Sequence, residues 1–234
     1  FYITLVFGVV YLLLYPGLGS FPGLLGWTSQ GRYENEVKTA EESFKPLYDA
    51  YLATPIDELV QNADAMGTAK RLYSTNCAIC HGADARGATG FPNLRDNDWV
   101  WGGDEAAVKA TLVNGRNAVM PGWIGVIGEE GVNAASEYVY SLTRDPLNPA
   151  LVDAGKQHYD TLCAACHGAD AKGNIALGAP NLTDDIWLYG GSLGAIRQTL
   201  TSGRNGVMPA FGENLTESQI HLLTAYLQSI GEGE

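Results

Sequence analysis

Cys77-Ala78-Ile79-Cys80-His81 and Cys163-Ala164-Ala165-Cys166-His167 are two copies of one pentapeptide, Cys-x-x-Cys-His, and together they use all four cysteines of the 234-residue chain. Two thiols one helical turn apart can each add to a vinyl group of the same porphyrin, while the adjacent imidazole coordinates its iron. Each copy therefore reads as a covalent attachment site for haem c, so the chain is expected to carry two. Two disulfides or one zinc ion would also use four cysteines, but neither calls for a histidine directly after each pair. A redox dithiol would need a single Cys-x-x-Cys beside a βαβ pattern, which the sequence does not offer.

Downstream, Gly115-Arg116-Asn117-Ala118-Val119-Met120-Pro121 is matched by Gly203-Arg204-Asn205-Gly206-Val207-Met208-Pro209. Two of the three methionines thus stand at one place in a repeat, about 40 residues after each histidine. A thioether there supplies the soft sixth ligand that favours ferrous iron and raises the reduction potential. In chain order the axial pairs are His81 with Met120 and His167 with Met208, both irons being six-coordinate and closed. Met66 lies outside the repeat and reads as boundary or core filler.

The repeat extends beyond the ligands when residues 67–144 are laid over 153–231. Lys70 and Tyr73 fall on Lys156 and Tyr159, Pro92-Asn93-Leu94 on Pro180-Asn181-Leu182, and Asp96 on Asp184. Trp99 falls on Trp187, Gly102-Gly103 on Gly190-Gly191, and Tyr138 on Tyr226. The second copy has two extra residues between His167 and Pro180, which places a small insertion in a loop. Helices are expected over Gly67–Asn76, Asp104–Asn114, Val132–Leu142, Ala154–Leu162, Ser192–Ser202 and Thr216–Ile230. Asp104 and Ser192 can cap N-termini, Gly115 and Gly203 can end helices, and Thr216 with Gln219 forms a capping box.

Each repeat resembles a class I cytochrome c, over about two thirds of the chain. The resemblance implies that the carbonyls of Pro92 and Pro180 accept a hydrogen bond from the proximal imidazoles. It also makes Arg116 and Arg204 candidates to neutralise haem propionates; the alternative for both is a solvated loop charge.

Ahead of the repeats, residues 1–15 are almost wholly apolar and the first charge is Arg32. This reads as the end of a truncated transmembrane helix with an interfacial aromatic belt of Tyr15, Phe21 and Trp27. A signal-peptide core and a buried helix of a soluble domain are the alternatives. The expected fold class is mainly α: a transmembrane helix end and interface segment over 1–31, a periplasmic arm or linker over 32–66, cytochrome c domain 1 over 67–144 and cytochrome c domain 2 over 145–234. Net charge is −12, divided as −5 over 1–66, −1 over 67–144 and −6 over 145–234. Such a surface repels nucleic acid and favours a basic or dipolar redox partner, although solubility alone explains the same charge. His158 and His221 belong to no repeated ligand set and read as helix-face residues.

Tyr15-Pro16-Gly17-Leu18-Gly19, then Gly23-Leu24-Leu25-Gly26-Trp27-Thr28-Ser29, an acidic spacer and two haem units together resemble the dihaem subunit III of cbb3-type cytochrome c oxidases, members of the haem-copper oxidases. That resemblance implies a subunit in the bacterial cytoplasmic membrane with its haem domains on the periplasmic side. It would accept electrons from a cytochrome c donor and pass them to a monohaem cytochrome c subunit and then to the catalytic haem-copper subunit. Oxygen is reduced to water there with proton translocation, so this chain would hold no catalytic residue of its own. A stand-alone dihaem electron carrier, or the cytochrome subunit of a periplasmic dehydrogenase, is the alternative function. A dihaem peroxidase needs an open iron, which a methionine at each site argues against.

Repeats of about 80 residues bury a limited core, so the porphyrin is expected to supply much of the apolar interior. The haem-free chain should accordingly refold poorly. Far-UV circular dichroism checks this, and a native-like helical spectrum without haem would contradict it.

Overall fold

The computed structural model describes residues 1–17 and 21–231, and these form two compact units, Phe1–Ala50 and Tyr51–Glu234. In the first, α1 (Tyr2–Leu14) has 13 residues and no charge, a length of ~20 Å at the usual helical rise. No helix among the described residues is long and apolar enough to cross a membrane. The segment expected to be a transmembrane helix end is thus a short apolar helix that stops at Tyr15. The Tyr15 ring stacks on Tyr11 at 4.8 Å and meets Trp27 edge-on at 5.9 Å. The chain folds back here, Leu24 and Leu25 donating their N–H groups to the carbonyls of Leu13 and Leu14. Leu18 and Gly19 of the Tyr15–Gly19 motif lie outside the described residues.

Helix α2 (Ser29–Ala53) is the acidic spacer. It carries the i,i+4 pairs Arg32–Glu36 at 2.9 Å and Lys45–Asp49 at 2.7 Å, all four side chains exposed. Pairs of this kind support a solvated helix by a few tenths of a kcal/mol each, ~0.3–0.5. Helix α2 begins ahead of the arm or linker expected over 32–66 and runs through Pro46.

The second unit contains α3 (Ile56–Leu59), α4 (Ala63–Asn76), α5 (Ala78–His81), α6 (Glu105–Asn114), β1 (Arg116–Met120) and α7 (Ile124–Ser141). These are followed by α8 (Val152–His158), α9 (Ala164–His167), α10 (Leu193–Ser202), β2 (Arg204–Met208) and α11 (Glu217–Ile230). The caps fall where sequence places them: Asp104 accepts from Ala107 N–H and Ser192 from Ala195 N–H, and Thr216 and Gln219 form a reciprocal box. Some bounds differ. A helical turn from Ile124 precedes the helix expected at Val132, the two being separated by a kink at Gly128, whose φ of 67° and ψ of 179° are not helical; α4 starts at Ala63 rather than Gly67; and a π turn over Tyr159–Cys163 replaces the end of the helix expected to reach Leu162.

Packing in this unit does not follow chain order. One apolar cluster joins Tyr73 of α4 and Val108 and Leu112 of α6 to Ile220, Leu223 and Leu227 of α11. The other joins Tyr159, and Ile196 and Leu200 of α10, to Val132, Ala135 and Val139 of α7. Each repeat thus receives the closing helix of the other, forming lobe A (α4, α5, α6, α11) and lobe B (α7, α8, α9, α10). The crossing is made by β1 and β2, which pair antiparallel with Arg116 opposite Met208 and Met120 opposite Arg204.

Contacts beyond the strands repeat the exchange with near two-fold symmetry. Trp123 N–H donates to Leu200 O at 2.7 Å, and Phe211 N–H to Leu112 O at 2.9 Å. Gln228 Nε2 donates to Gly103 O at 2.7 Å, and Arg144 Nη1 to Gly191 O at 2.8 Å. In lobe A the rings of Tyr73 and Tyr226 lie 5.4 Å apart, and in lobe B those of Tyr138 and Tyr159 lie 5.2 Å apart. Such pairs contribute ~0.5–1.5 kcal/mol beyond their buried area.

The connector between the repeats is pinned to lobe B by Glu137, which is 1% exposed. Its Oε2 accepts from Leu147 N–H and Asn148 N–H, and its Oε1 lies 3.6 Å from Arg197 Nη2. A carboxylate this deep persists because its lone pairs are satisfied and its charge is paired. His221, expected on a helix face, is buried and donates Nε2–H to Thr54 O at 2.9 Å, tying α11 to the turn before α3.

Tyr73 and Tyr159 are the largest fully buried side chains, and burial pushes both phenols up to about 12. Each donates its hydroxyl to the glycine after a Cys-x-x-Cys-His segment, Gly82 O at 2.8 Å and Gly168 O at 2.6 Å. Because the folded values lie above the unfolded one near 10, the neutral phenols stabilise the fold at full strength below pH ~10, and that contribution is lost as pH rises toward 12. Denaturant midpoints measured along this range should fall steeply in the wild type and less in Tyr73→Phe and Tyr159→Phe, whose baseline stability is lower. Equal alkaline slopes would contradict it.

Candidate haem-binding sites

Each Cys-x-x-Cys-His segment forms one helical turn at the end of a longer helix, α5 after α4 and α9 after the π turn, which keeps the cysteines and the histidine within about one turn of each other. His81 and His167 are 8% and 7% exposed. Their Nδ1 atoms lie 3.0 Å from the carbonyl oxygens of Pro92 and Pro180. A carbonyl only accepts, so Nδ1 carries the proton and Nε2 keeps the lone pair that a metal needs. Burial holds the His167 imidazole below its ordinary value, against the opposing pull of the Pro180 carbonyl. The neutral, coordinating form is the one this setting favours.

The loop that carries each proline closes tightly over the histidine. Gly87 N–H donates to His81 O at 2.9 Å and Gly173 N–H to His167 O at 2.8 Å. Both glycines have positive φ, and a Cβ on Gly87 would stand 2.2 Å from Phe91 O. Leu94 N–H to Ala85 O and Leu182 N–H to Ala171 O, both 2.8 Å, complete the loops.

None of the four cysteines pairs in a disulfide, and the two pairs sit in separate lobes, so they do not converge on one zinc ion. Among the described residues no three His, Cys, Asp or Glu side chains gather as a metal-binding group. Burial, with Cys80 as a lesser cause, pushes the Cys77 thiol up to about 11, and burial with Cys166 raises Cys163. Such thiols stay protonated at neutral pH, unlike the low-pKa cysteine of a thiol-redox enzyme.

The methionines are where chain order misleads. Met208, not Met120, packs into the cluster around Cys77, Ala78, Leu94 and Trp99 in lobe A. Met120 packs into the cluster around Cys163, Ala164, Leu182 and Trp187 in lobe B. This packing is the reverse of the chain-order pairs His81 with Met120 and His167 with Met208, because each methionine ends a strand that crosses to the other lobe.

Arg116 and Arg204 remain with the lobe of their own repeat. Arg116 Nε donates to Thr111 Oγ1 at 2.8 Å, and its guanidinium stacks 4.7 Å over Trp101. Arg204 Nε donates to Thr199 Oγ1 at 2.9 Å and stacks 4.5 Å over Tyr189. Neither is a freely solvated loop charge; each fork is fixed in place with N–H groups to spare for a carboxylate. Sequence reading missed the role of Trp99 and Trp187, whose rings lie 2.5 and 2.6 Å from where a Cβ on Gly103 and Gly191 would stand. Their signal was the repeated Trp-x-x-Gly-Gly spacing.

A porphyrin fits each crevice on its donor set: two thiols for the vinyl groups, an imidazole with a free Nε2, an apolar wall bearing a thioether, and a held guanidinium for a propionate. When bound, haem c supplies a one-electron Fe(III)/Fe(II) couple.

The family model for cytochrome c oxidase, cbb3-type, subunit III matches residues 64–139 and again 150–227. The cbb3-type cytochrome c oxidase subunit CcoP of Rubrivivax gelatinosus is 43% identical over 233 residues, 99% of this chain and 76% of that protein. Subunit FixPc of Rhizobium leguminosarum bv. viciae is 35% identical, covering 100% of this chain and 87% of its own length. CcoP of Azospirillum brasilense is 34% identical, covering 100% and 88%. With cytochrome c domains matched twice in tandem and relatives of one description along its whole length, the chain belongs to the subunit III family of cbb3-type cytochrome c oxidases, as an electron-transfer part of that oxidase.

Proposed function

We propose that this chain is a membrane-anchored, two-haem electron-input arm of a cbb3-type oxidase, with its axial ligands crossed between the repeats. Haem 1 is attached through Cys77 and Cys80 and ligated by His81 and Met208. Haem 2 is attached through Cys163 and Cys166 and ligated by His167 and Met120. The observation that carries this reading is the membership of Met208 in the Cys77 cluster and of Met120 in the Cys163 cluster.

The residues of the chain do four things in this arrangement. Pro92 and Pro180 hold the imidazole protons on Nδ1 and so aim each Nε2. Trp99 and Trp187 pack in the clusters that hold the methionines, which keeps water from the thioether side and favours the less charged ferrous state. Arg116 and Arg204 offset propionate charge. Gly87 and Gly173 close the proline loops over the histidines by donating their N–H groups to His81 O and His167 O.

Electrons arrive from a cytochrome c donor and leave toward a monohaem cytochrome c subunit and the catalytic haem-copper subunit, where oxygen is reduced with proton translocation. The apolar, uncharged surface of α1, with Phe7, Tyr11, Leu12 and Leu13 exposed, supports a place in the bilayer of the bacterial cytoplasmic membrane, the haem lobes lying on the periplasmic side.

Crossed ligation is tested in chains reduced to one haem by replacing one cysteine pair with serine. With Cys77 and Cys80 retained, Met208→His should replace the methionine-to-iron absorption band by a bis-histidine spectrum and lower the potential, while Met120→His leaves that haem unchanged. The opposite result would restore pairing in chain order. The oxidase role is tested on detergent-solubilised membranes: this chain should co-purify with b-type haem and cyanide-sensitive oxygen uptake. Isolation with haem c alone and no oxygen uptake would favour a stand-alone carrier.

A further inference from the structure

Between the two lobes lies a pair of aromatic side chains to which neither the ligand sets nor the family match assigns a role. Trp101 and Tyr189 occupy equivalent positions, two residues after Trp99 and Trp187. Each lies under the guanidinium of its own repeat, at 4.7 and 4.5 Å. Each also reaches the other lobe at an equivalent place, the glycine two residues before the proline that orients the histidine. A Cβ on Gly178 would stand 2.1 Å from the Trp101 ring, and a Cβ on Gly90 would stand 3.6 Å from the Tyr189 ring. Gly90 N–H also donates to Leu188 O at 2.9 Å, so the backbones meet at this point.

Two unbroken chains of contact result. One runs from Arg116 through Trp101 to Gly178 and the loop of Pro180, and the other from Arg204 through Tyr189 to Gly90 and the loop of Pro92. Gly178 is buried, and its φ of 64° suits glycine; the flat indole fits there because no side chain opposes it. The two chains are unequal. Trp101 has the larger ring and the closer approach, whereas Tyr189 touches Gly90 at ordinary van der Waals range and places its hydroxyl 3.3 Å from a Cβ position on Gly206.

We propose that Trp101 and Tyr189 are positioning residues for electron transfer between the two haem lobes, Trp101 carrying the main contact across the seam. The proposal rests on the two-haem reading above. With haem c held in both lobes, the step would move one electron from the reduced site to the oxidised one, so that one site is oxidised as the other is reduced, with no bond or proton exchanged and no further reagent. The rings are not themselves oxidised. They fill the gap with bonded and closely packed atoms, and through the stacked arginines they set how far the lobes stand apart. Cation–π stacking of the guanidiniums at 4.7 and 4.5 Å favours one orientation of each ring.

The test uses the full-length chain with haem attached. One electron is injected photochemically and its redistribution between the haems is followed, alongside haem content, the methionine-to-iron band and both midpoint potentials. Trp101→Leu should slow the inter-haem rate roughly tenfold at matched driving force, Tyr189→Leu should slow it less, and Trp101→Phe should recover most of the loss. A Trp101→Leu rate within about twofold of wild type, with two methionine-ligated haems present, would overturn the proposal while leaving the functional reading intact. Should Trp101→Leu fail to hold both haems, Trp101→Phe and Gly178→Ala decide: a slowed rate in Gly178→Ala with Trp101→Phe near wild type supports the seam contact, and wild-type rates in both overturn it. A wild-type chain with a single haem would instead overturn the two-haem reading itself.

Discussion

The antiparallel pairing of β1 with β2 is the interaction on which the architecture of the second unit depends. Two five-residue strands bring Arg116 opposite Met208 and Met120 opposite Arg204, and each strand delivers its chain into the lobe begun by the other repeat. Helix α7, which follows Met120, then packs on α8 and α10, and α11, which follows Met208, packs on α4 and α6. Neither repeat contains the helix that closes its own core. The two lobes are therefore one cooperative body, and loosening the ribbon would expose apolar surface in both.

Within that body the chemistry is set by atoms that cannot move independently. The imidazole of His81 is held by Pro92, whose loop is held by Gly87 against the backbone of His81 itself. The same circuit recurs around His167, Pro180 and Gly173. Such closed circuits of backbone hydrogen bonds fix the tautomer and direction of a ligand without spending a charged side chain. The charged groups that do appear, Arg116 and Arg204, are stacked and hydrogen-bonded in place, so their orientation is set before any partner arrives.

Exchange of equivalent helices is energetically easy because the repeats present nearly the same surfaces. Tyr226 meets Tyr73 and Tyr138 meets Tyr159 with almost equal ring separations, so a non-exchanged pairing would use residues of the same type. Positions at which the two repeats differ tie the exchanged helices to particular neighbours. Glu137, with Ala225 as its counterpart by alignment, anchors the connector and Arg197 in lobe B, while His221 anchors Thr54 in lobe A.

The helical repeat, the two Cys-x-x-Cys-His segments, the proline carbonyls that meet the histidines and the caps at Asp104, Ser192 and Thr216 were legible in the order of amino acids alone, because each of these depends on residues close along the chain or on one local hydrogen bond. So was the apolar character of α1, while the length of the helix there falls short of a bilayer span. The lobe into which each methionine packs, the β ribbon, the stacking of Arg116 and Arg204 and the contacts of Trp101 and Tyr189 appear only with the tertiary contacts. The physical reason is degeneracy: when two repeats carry the same ligands and the same apolar faces, local pattern is satisfied equally by either partner. Which one is taken depends on contacts separated by about a whole repeat in sequence, such as Trp123 with Leu200 and Phe211 with Leu112.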